Sequence, residues 1–186
     1  MSHFYRGRTS LEKDAGDQEQ IIEWYDMYSL SLFKYILKMI HDAQQAEDLL
    51  QDTFIKAYTY LMRGKDVDYP KTFLYRTAHN LTIDHIRKHK PIRMIKDFFN
   101  NREDPGPSVE DVIEIQESSQ ELFDALYSLK ANYRQVIILR RVEEFSVKDT
   151  AEILGWTESK VKSTLFRGLQ KLEEKLQKGD VGDGQS

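Results

Sequence analysis

The sequence predicts an all-α fold in which two small helical domains are joined by a flexible acidic linker, the second domain containing a helix-turn-helix. Three observations predict it. Apolar residues recur at the 3.6-residue period of a helix in both parts of the chain, and no Asn-Gly turn joins alternating segments into a β-hairpin. Helix-breaking residues interrupt the periodicity between 91 and 118. A chain of 186 residues is long enough for two such domains.

The first helix is predicted over residues 21–40, after a polar segment of residues 1–20. Apolar side chains follow helical spacing throughout 21–40. Asp42 is then followed three residues later by Gln45, which is typical of a helix N-terminus. We therefore expect a second helix that starts after Asp42 and ends near Leu61.

A loop and a third helix complete the predicted N-terminal domain, which spans 21–90. The loop over 64–70 is indicated by its Gly, Asp and Pro content. The third helix is predicted over about 72–89, because Pro91 disfavours helical geometry at the residue before it.

The predicted linker spans residues 91–118 and has little periodicity. It contains Pro105, Gly106 and Pro107, which favour irregular structure. Residues 97–125 hold one basic and nine acidic side chains, a net charge of −8. The connector is therefore expected to be acidic as well as flexible.

Helical patterning resumes near Ser119, and the predicted C-terminal domain spans 119–178. Residues 179–186 are small, charged or polar, and we expect them to form a disordered tail.

A helix-turn-helix is predicted inside this domain. Ser146 and Asp149 have the spacing of a capping box for a helix that ends at Leu154. Gly155 lies where the chain must turn, and glycine accepts a positive φ without a Cβ clash. Thr157 is a suitable N-cap for the next helix. A helix, a glycine-containing turn and a second helix form this motif.

The second helix of the motif has a small, polar and positively charged outer surface. Val161 and the leucines after it mark the buried side, so serines face outward and cations flank them. Small polar residues permit close approach to a DNA major groove, and cations meet phosphates. The alternative is that this face is basic and solvated, with the Phe166 ring covered by a neighbouring residue. For Phe166 alone we favour this alternative. The predicted DNA-binding residues are Thr157, Ser159, Lys160, Lys162, Ser163, Phe166 and Arg167.

The third helix carries a basic, aromatic surface. Residues 71–96 hold seven basic side chains and one acidic, a net charge of +6. Cations bind the backbone of nucleic acid and aromatic rings stack on unpaired bases. The Asn80 amide is able to hydrogen-bond a base edge. The alternative is an ordinary amphipathic helix whose aromatic residues belong to the core.

Other classes of function find little support. The chain has no cysteine, which excludes disulfides and thiolate zinc sites. The longest aliphatic run, 136–139, is far too short to cross a bilayer, and the N-terminus lacks the apolar stretch of a signal peptide. We therefore expect a cytoplasmic protein.

Catalysis, a metal and a cofactor are not expected. No Ser-His-Asp arrangement or phosphate-binding glycine loop is present in the sequence. His85 and His89 are four residues apart but have no third ligand nearby. The acidic side chains near residue 50 are more simply the solvated side of an amphipathic helix than a carboxylate metal site.

Three segments, taken in order and separation, resemble the extracytoplasmic-function (ECF) group of bacterial RNA polymerase sigma factors. They are AEDLLQDTFIKAY (46–58), TFLYRTAHNLTIDHIRK (72–88) and YRQVIILRRVEEFSVKDTAEILGWTESKVKSTLFRG (133–168). The resemblance extends from Ile21 to Leu176.

The resemblance implies a function for each segment. The first would dock on the coiled coil of the polymerase β′ subunit through Glu47, Asp48, Gln51 and Asp52. The second would melt and read the −10 promoter element, with Asn80 lining a pocket for a flipped-out base. The third would read the −35 element. The implied −10 contacts are Lys71, Thr72, Phe73, Arg76, His79, Asn80, Arg87 and Lys88.

The resemblance also implies the partners. These are core RNA polymerase, through its β′ and β subunits, promoter DNA and an anti-sigma factor, which in the family is often membrane-bound. No small-molecule substrate is implied. One alternative is a stand-alone helix-turn-helix regulator that dimerises on palindromic sites without polymerase. Another is a helical adaptor that binds only proteins, which would leave the basic helix surface unused.

Overall fold

The computed structural model describes residues 10–99 and 117–180, and within these residues all regular secondary structure is helical. The all-α prediction is confirmed. The first part comprises α1 (Ser10–Ile40), α2 (Ala43–Met62) and α3 (Pro70–Phe99). The second comprises α4 (Glu117–Tyr127), α5 (Ala131–Ile137), a π-helical turn (Ile138–Val142), α6 (Val147–Leu154) and α7 (Glu158–Asp180).

The N-terminal helices pack against one another around a core that the periodicity predicts. The Asp42 carboxylate accepts a hydrogen bond from the backbone N–H of Gln45 at 2.9 Å, so α2 begins where expected. The apolar stripe of α2 is buried, and it comprises Ala46, Leu50, Phe54, Ala57 and Leu61. Burying this stripe removes apolar surface from water, which is the main force that holds the three helices together.

Two predicted helix boundaries are wrong. α1 begins at Ser10, because the residues before 21 are mostly good helix formers, and such residues extend a helix without an apolar stripe. α3 continues through Pro91, because an internal proline removes one main-chain hydrogen bond and favours a kink without excluding a helix.

The termini and the linker are only partly described. Parts of the predicted linker, 91–99 and 117–118, belong to helices, and the rest lies outside the described residues. Residues 1–9 and the predicted tail from 181 onward also lie outside them.

The C-terminal helices pack on α7. Val161 is fully buried. A Cβ on Gly168 would lie 3.2 Å from Ile137 Cδ1 and 3.3 Å from Tyr133 Cβ. Glycine at this position therefore lets α5 and α7 approach closely, which holds the second helix of the predicted helix-turn-helix against the rest of its domain.

The π-helical turn directs the chain toward the N-terminal helices. The backbone N–H of Glu143 donates to the carbonyl oxygen of Ile138 at 3.0 Å, five residues back, and Phe145 donates to Leu139 at 3.0 Å. Glu143 follows this turn, and its side chain lies against α1 and α3. The two groups of helices are thus in contact.

Among the described helices, none combines the length and the apolar character that a bilayer-spanning segment needs.

Candidate nucleic-acid and protein interfaces

The predicted helix-turn-helix is present, with its caps. The Ser146 hydroxyl accepts a hydrogen bond from the backbone N–H of Asp149 at 3.0 Å. Gly155 has φ 63° and ψ 36°, the left-handed conformation that the turn requires. Thr157 Oγ1 accepts from the backbone N–H of Lys160 at 3.2 Å. The chain therefore turns sharply between α6 and α7 and presents the start of α7 to solvent.

The outer surface of α7, which we call the α7 surface, is exposed at every predicted position. These residues are Thr157, Ser159, Lys160, Lys162, Ser163, Phe166 and Arg167. The expectation that a neighbour covers Phe166 is wrong, because its side chain is 65% exposed. Lys160 Nζ lies 4.1 Å from the centre of the Trp156 ring. This cation–π contact holds the Lys160 ammonium at one side of the α7 surface.

A second exposed surface runs along α3. Arg76 and Asn80 are four residues apart and therefore share one helix face, which Arg87 and Lys88 continue. All four are exposed, and Lys71 is exposed at the start of the helix. We call these five residues the α3 basic surface. It has four cations around one amide, which suits a strand of nucleic acid better than a neutral ligand.

Three predicted members of this surface do not belong to it. Thr72 is 7% exposed and His79 is 6% exposed. Both side chains are therefore buried and are not available for the predicted DNA contacts. Phe73 is half-buried, with its ring centre 4.9 Å from that of Tyr60 and 6.3 Å from that of Trp24. The predicted stacking platform is thus part of the domain core.

His79 is a core residue of the N-terminal domain. Its Nδ1 lies 3.0 Å from the Tyr35 hydroxyl, within hydrogen-bonding distance. Burial lowers the pKa of His79 to about 4, so the ring is neutral at pH 7. The spacing in the sequence is consistent with this burial. His79 lies four residues after Tyr75 and three before Thr82, so it shares a helix face with these two buried residues.

The lowered pKa of His79 predicts a loss of stability in acid. The unfolded state takes up the proton near pH 6.5 and the folded state near pH 4, so stability falls as the pH drops from about 6.5 toward 4. We expect a loss of about 2–3 kcal/mol by pH 4.5. Urea denaturation between pH 7.5 and 4.5 measures it, with Trp24 fluorescence as the probe in a Trp156→Phe background. His79→Gln should flatten the pH dependence, and equal slopes for the two proteins would contradict the assignment.

An acidic surface lies on the solvent side of α2. Glu47 and Gln51, and likewise Asp48 and Asp52, are spaced four residues apart, and all four side chains are exposed. The opposite side of the helix is the buried stripe. We call these four residues the α2 acidic surface.

Metal-ligating side chains do not converge in the described part of the chain. No group of three or more His, Cys, Asp or Glu residues there has the arrangement of a metal site. The rings of His85 and His89 stack with their centres 4.1 Å apart. His89 Nδ1 lies 2.9 Å from the carbonyl oxygen of His85, so one ring nitrogen is already engaged by the backbone.

The C-terminal domain occupies one end of the α3 basic surface, which the sequence did not predict. Lys71 Nζ donates to the carbonyl oxygen of Glu143 at 3.2 Å. Arg76 Nη1 lies 3.5 Å from Glu152 Oε1. These partners are 72 and 76 residues apart in sequence, so no local pattern could have indicated them.

Comparison with known protein families gives two matches. Residues 24–92 match the family model of Sigma-70 region 2, and residues 119–172 match that of Sigma-70 region 4. The first match contains the α2 acidic surface and the α3 basic surface. The second contains α6, the turn at Gly155 and the whole α7 surface.

Several relatives are similar over most of their length. The ECF RNA polymerase sigma factor SigM of Bacillus subtilis is 33% identical over 165 residues, which cover 86% of this chain and 96% of SigM. SigX of the same organism is 32% identical over 82% of this chain and 81% of its own. SigW, also from Bacillus subtilis, is 31% identical over 87% of this chain and 91% of its own.

Solved structures share the fold. The sigma factor RpoE of Bartonella quintana, in complex with the anti-sigma factor NepR, has a TM-score of 0.69 at 24% identity and covers 86% of this chain and 98% of its own. CnrH, in complex with the cytosolic domain of CnrY, has a TM-score of 0.65 at 20% identity, over 90% of this chain and 94% of its own.

Proposed function

Since this chain belongs to the ECF group of RNA polymerase sigma factors, we propose a division of its promoter-recognition function among the three surfaces described above. As a sigma factor it directs core RNA polymerase to promoters and so initiates transcription. The chemistry belongs to the polymerase, and we propose no catalysis by this chain. The observation that carries the division is that two exposed basic surfaces lie on two different helical units of one chain.

The α2 acidic surface is proposed to bind the polymerase. Exposed carboxylates at four-residue spacing give a continuous negative strip, which fits a basic surface such as the coiled coil of the β′ subunit. The domain boundaries that accompany this proposal are 21–90 for polymerase binding and −10 recognition and 119–178 for −35 recognition, joined by 91–118.

The α3 basic surface is proposed to bind the −10 element, with Asn80 against a base. Extruding a base from the duplex costs a few kcal/mol of stacking and pairing. Arg76, Arg87 and Lys88 are placed to bind phosphates on either side of Asn80 along the helix. Phosphate contacts would hold the strand while the amide reads the base.

The α7 surface is proposed to enter the major groove at the −35 element. Ser159 and Ser163 are small enough for close approach, and Lys162 and Arg167 meet phosphates. The exposed ring of Phe166 is suited to contact a thymine methyl group. Each surface is small, so tethering both to one polymerase raises the effective concentration of each for its element.

Protein partners beyond the polymerase are proposed from the structural neighbours. RpoE is bound to the anti-sigma factor NepR, and CnrH to the cytosolic domain of CnrY. We propose that an anti-sigma factor, soluble or attached to a membrane, also restrains this chain.

Run-off transcription tests the proposed function. Purified core polymerase, with and without this chain, is given a DNA library randomised at the −35 and −10 positions, and the transcripts are sequenced. We expect defined start sites only when the chain is present, with two selected sequence elements upstream. Binding to palindromic duplexes as a dimer, without polymerase and without stimulated initiation, would instead support a stand-alone regulator.

A further inference from the structure

Trp156 and Lys160 form a contact at the beginning of the α7 surface. The ammonium of Lys160 lies over the indole ring, with Nζ 4.1 Å from the ring centre, and the lysine is exposed to solvent. α7 begins at Glu158, so Lys160 is its third residue whereas Trp156 precedes the helix. The pair is therefore not a contact between two turns of one helix, and the turn at Gly155 must place the ring.

The turn between α6 and α7 holds the Trp156 ring in position. The backbone N–H of Trp156 donates to the carbonyl oxygen of Ala151 at 2.9 Å, five residues back, beside the left-handed Gly155. The ring is half-buried and packs against the hydrophobic core. It is thus a fixed support for the lysine before any ligand arrives.

Lys160 lies where helix stability alone would not favour a cation. Thr157 Oγ1 accepts from its backbone N–H at 3.2 Å, so the residue belongs to the first turn of α7. The free N–H groups of a first turn carry partial positive charge, which disfavours a nearby ammonium. In the described part of the chain no ion pair involves Lys160. A residue that breaks a local rule in this way points to a function outside the helix.

The direction of Lys160 from the helix axis indicates which part of DNA it meets. Val161 is fully buried, and at about 100° per residue Ser163 lies almost opposite it, whereas Lys160 lies at one side. A helix of about 10–12 Å diameter fills a major groove of about 12 Å width. Its outermost residues then face base edges, and the residues at its sides face the sugar–phosphate backbones that line the groove.

We propose that Trp156 is a positioning residue for −35 recognition, whose ring holds the Lys160 ammonium so that it binds one phosphate at the side of the groove. The proposal rests on the proposed function of the α7 surface. An ammonium has three N–H donors, and those turned away from the ring stay free for phosphate oxygens. A lysine loses rotamer freedom when it binds, and a ring that already restricts the side chain reduces that loss.

Four substitutions separate the ring from the charge. Trp156→Leu removes the aromatic face and keeps an apolar side chain, whereas Trp156→Phe keeps a smaller ring. Lys160→Met keeps an unbranched stem and removes the charge. Lys162→Met is the matched control, because it removes the same charge from the opposite side of α7, away from Trp156.

Nuclear magnetic resonance of the free chain measures the pairing without DNA. The methylene protons next to Nζ are shifted upfield when a lysine lies over an aromatic face, and Lys160→Met identifies the signal of Lys160 by its absence. We expect the upfield shift in the unchanged chain, its loss in Trp156→Leu and its partial retention in Trp156→Phe. A Lys160 signal that Trp156→Leu leaves in place would overturn the proposal.

Promoter binding by the chain together with core polymerase measures the phosphate contact. The DNA is a −35-dependent promoter obtained from the run-off selection, and binding is followed over a range of salt concentrations. Lys160→Met should weaken binding about fivefold at about 0.15 M salt and reduce the slope of log K against log salt by about 0.9, equally for all −35 sequences. A changed preference at a single base pair would instead indicate a base contact and overturn the assignment to phosphate.

Combined variants measure the positioning effect. Trp156→Leu should weaken binding about twofold to fivefold, the range that an exposed cation–π contact provides, and Trp156→Phe should weaken it less. In the Lys160→Met background Trp156→Leu should have almost no further effect, whereas in the Lys162→Met background its full effect should remain. Equal losses in all backgrounds would show that Trp156 only supports the fold, and would overturn the proposal.

Two outcomes separate this proposal from the proposed function. Retained −35 dependence with equal losses in all backgrounds would overturn the positioning effect alone. Promoter binding that does not depend on the −35 sequence in the unchanged chain would overturn the proposed function of the α7 surface, and this proposal with it. If circular dichroism shows Trp156→Leu to be unfolded, Trp156→Phe in the same backgrounds decides the outcome by the same criterion.

Discussion

Replacing Asp48 and Asp52 together by lysine is expected to reduce promoter-specific run-off transcription by about tenfold to hundredfold, which corresponds to about 1.4–2.8 kcal/mol of polymerase binding. Both side chains are exposed on one face of α2, so their reversal turns a negative strip toward positive without touching the core. A partner surface that complements carboxylates then repels the variant. The measurement is transcript yield against chain concentration, with core polymerase held fixed.

The control for this variant is a reversal of equal charge elsewhere. Glu173 and Glu174 are exposed near the end of α7, away from the three proposed surfaces, and the double change to lysine alters net charge by the same amount. We expect this control to retain the original yield. Equal losses in the two variants would show that net charge, rather than the α2 acidic surface, determines polymerase binding. Thermal denaturation should give similar midpoints for both, because all four positions are exposed.

Ser163→Glu should reduce initiation at promoters that depend on the −35 element by about tenfold or more. Ser163 lies in the centre of the α7 surface, where a carboxylate would face the phosphates of the groove. Glutamate is a good helix former, so α7 should remain intact. The effect therefore reports a repulsive contact with DNA rather than unfolding. Run-off transcription from selected promoters, with and without their −35 sequence, measures it.

Gln177→Glu controls for the added negative charge. It lies on the same helix, fourteen residues further on, or about 21 Å along the axis. Transcription should be close to that of the unchanged chain. If Ser163→Glu has no effect on −35-dependent promoters, the start of α7 does not enter the groove, and the domain must approach DNA by another surface.

The three surfaces differ in how freely a partner can reach them. The α2 acidic surface and the α7 surface are exposed throughout, whereas the α3 basic surface is engaged at Lys71 and Arg76.

Local rules were sufficient for much of the fold. The caps at Asp42 and Ser146 and the left-handed Gly155 follow from interactions within a few residues, and the structure has all three. The buried stripe of α2 follows from periodicity alone. The same rules failed at Pro91, because a preference against helix at one residue does not decide whether a long helix continues. They failed at the start of α1 because helix-forming polar residues show no apolar periodicity.

The sequence by itself determined which residues form helices, which face of each is apolar and which family the chain resembles, since these depend on short-range spacing. Only the tertiary structure decided what covers each face. It buried His79, exposed Phe166 and paired Glu143 with Lys38 and Tyr75. The physical reason is that helical periodicity indicates which side chains must be buried but not which residues they pack against. Contacts between residues about 70 or 100 positions apart arise only when separate helices meet.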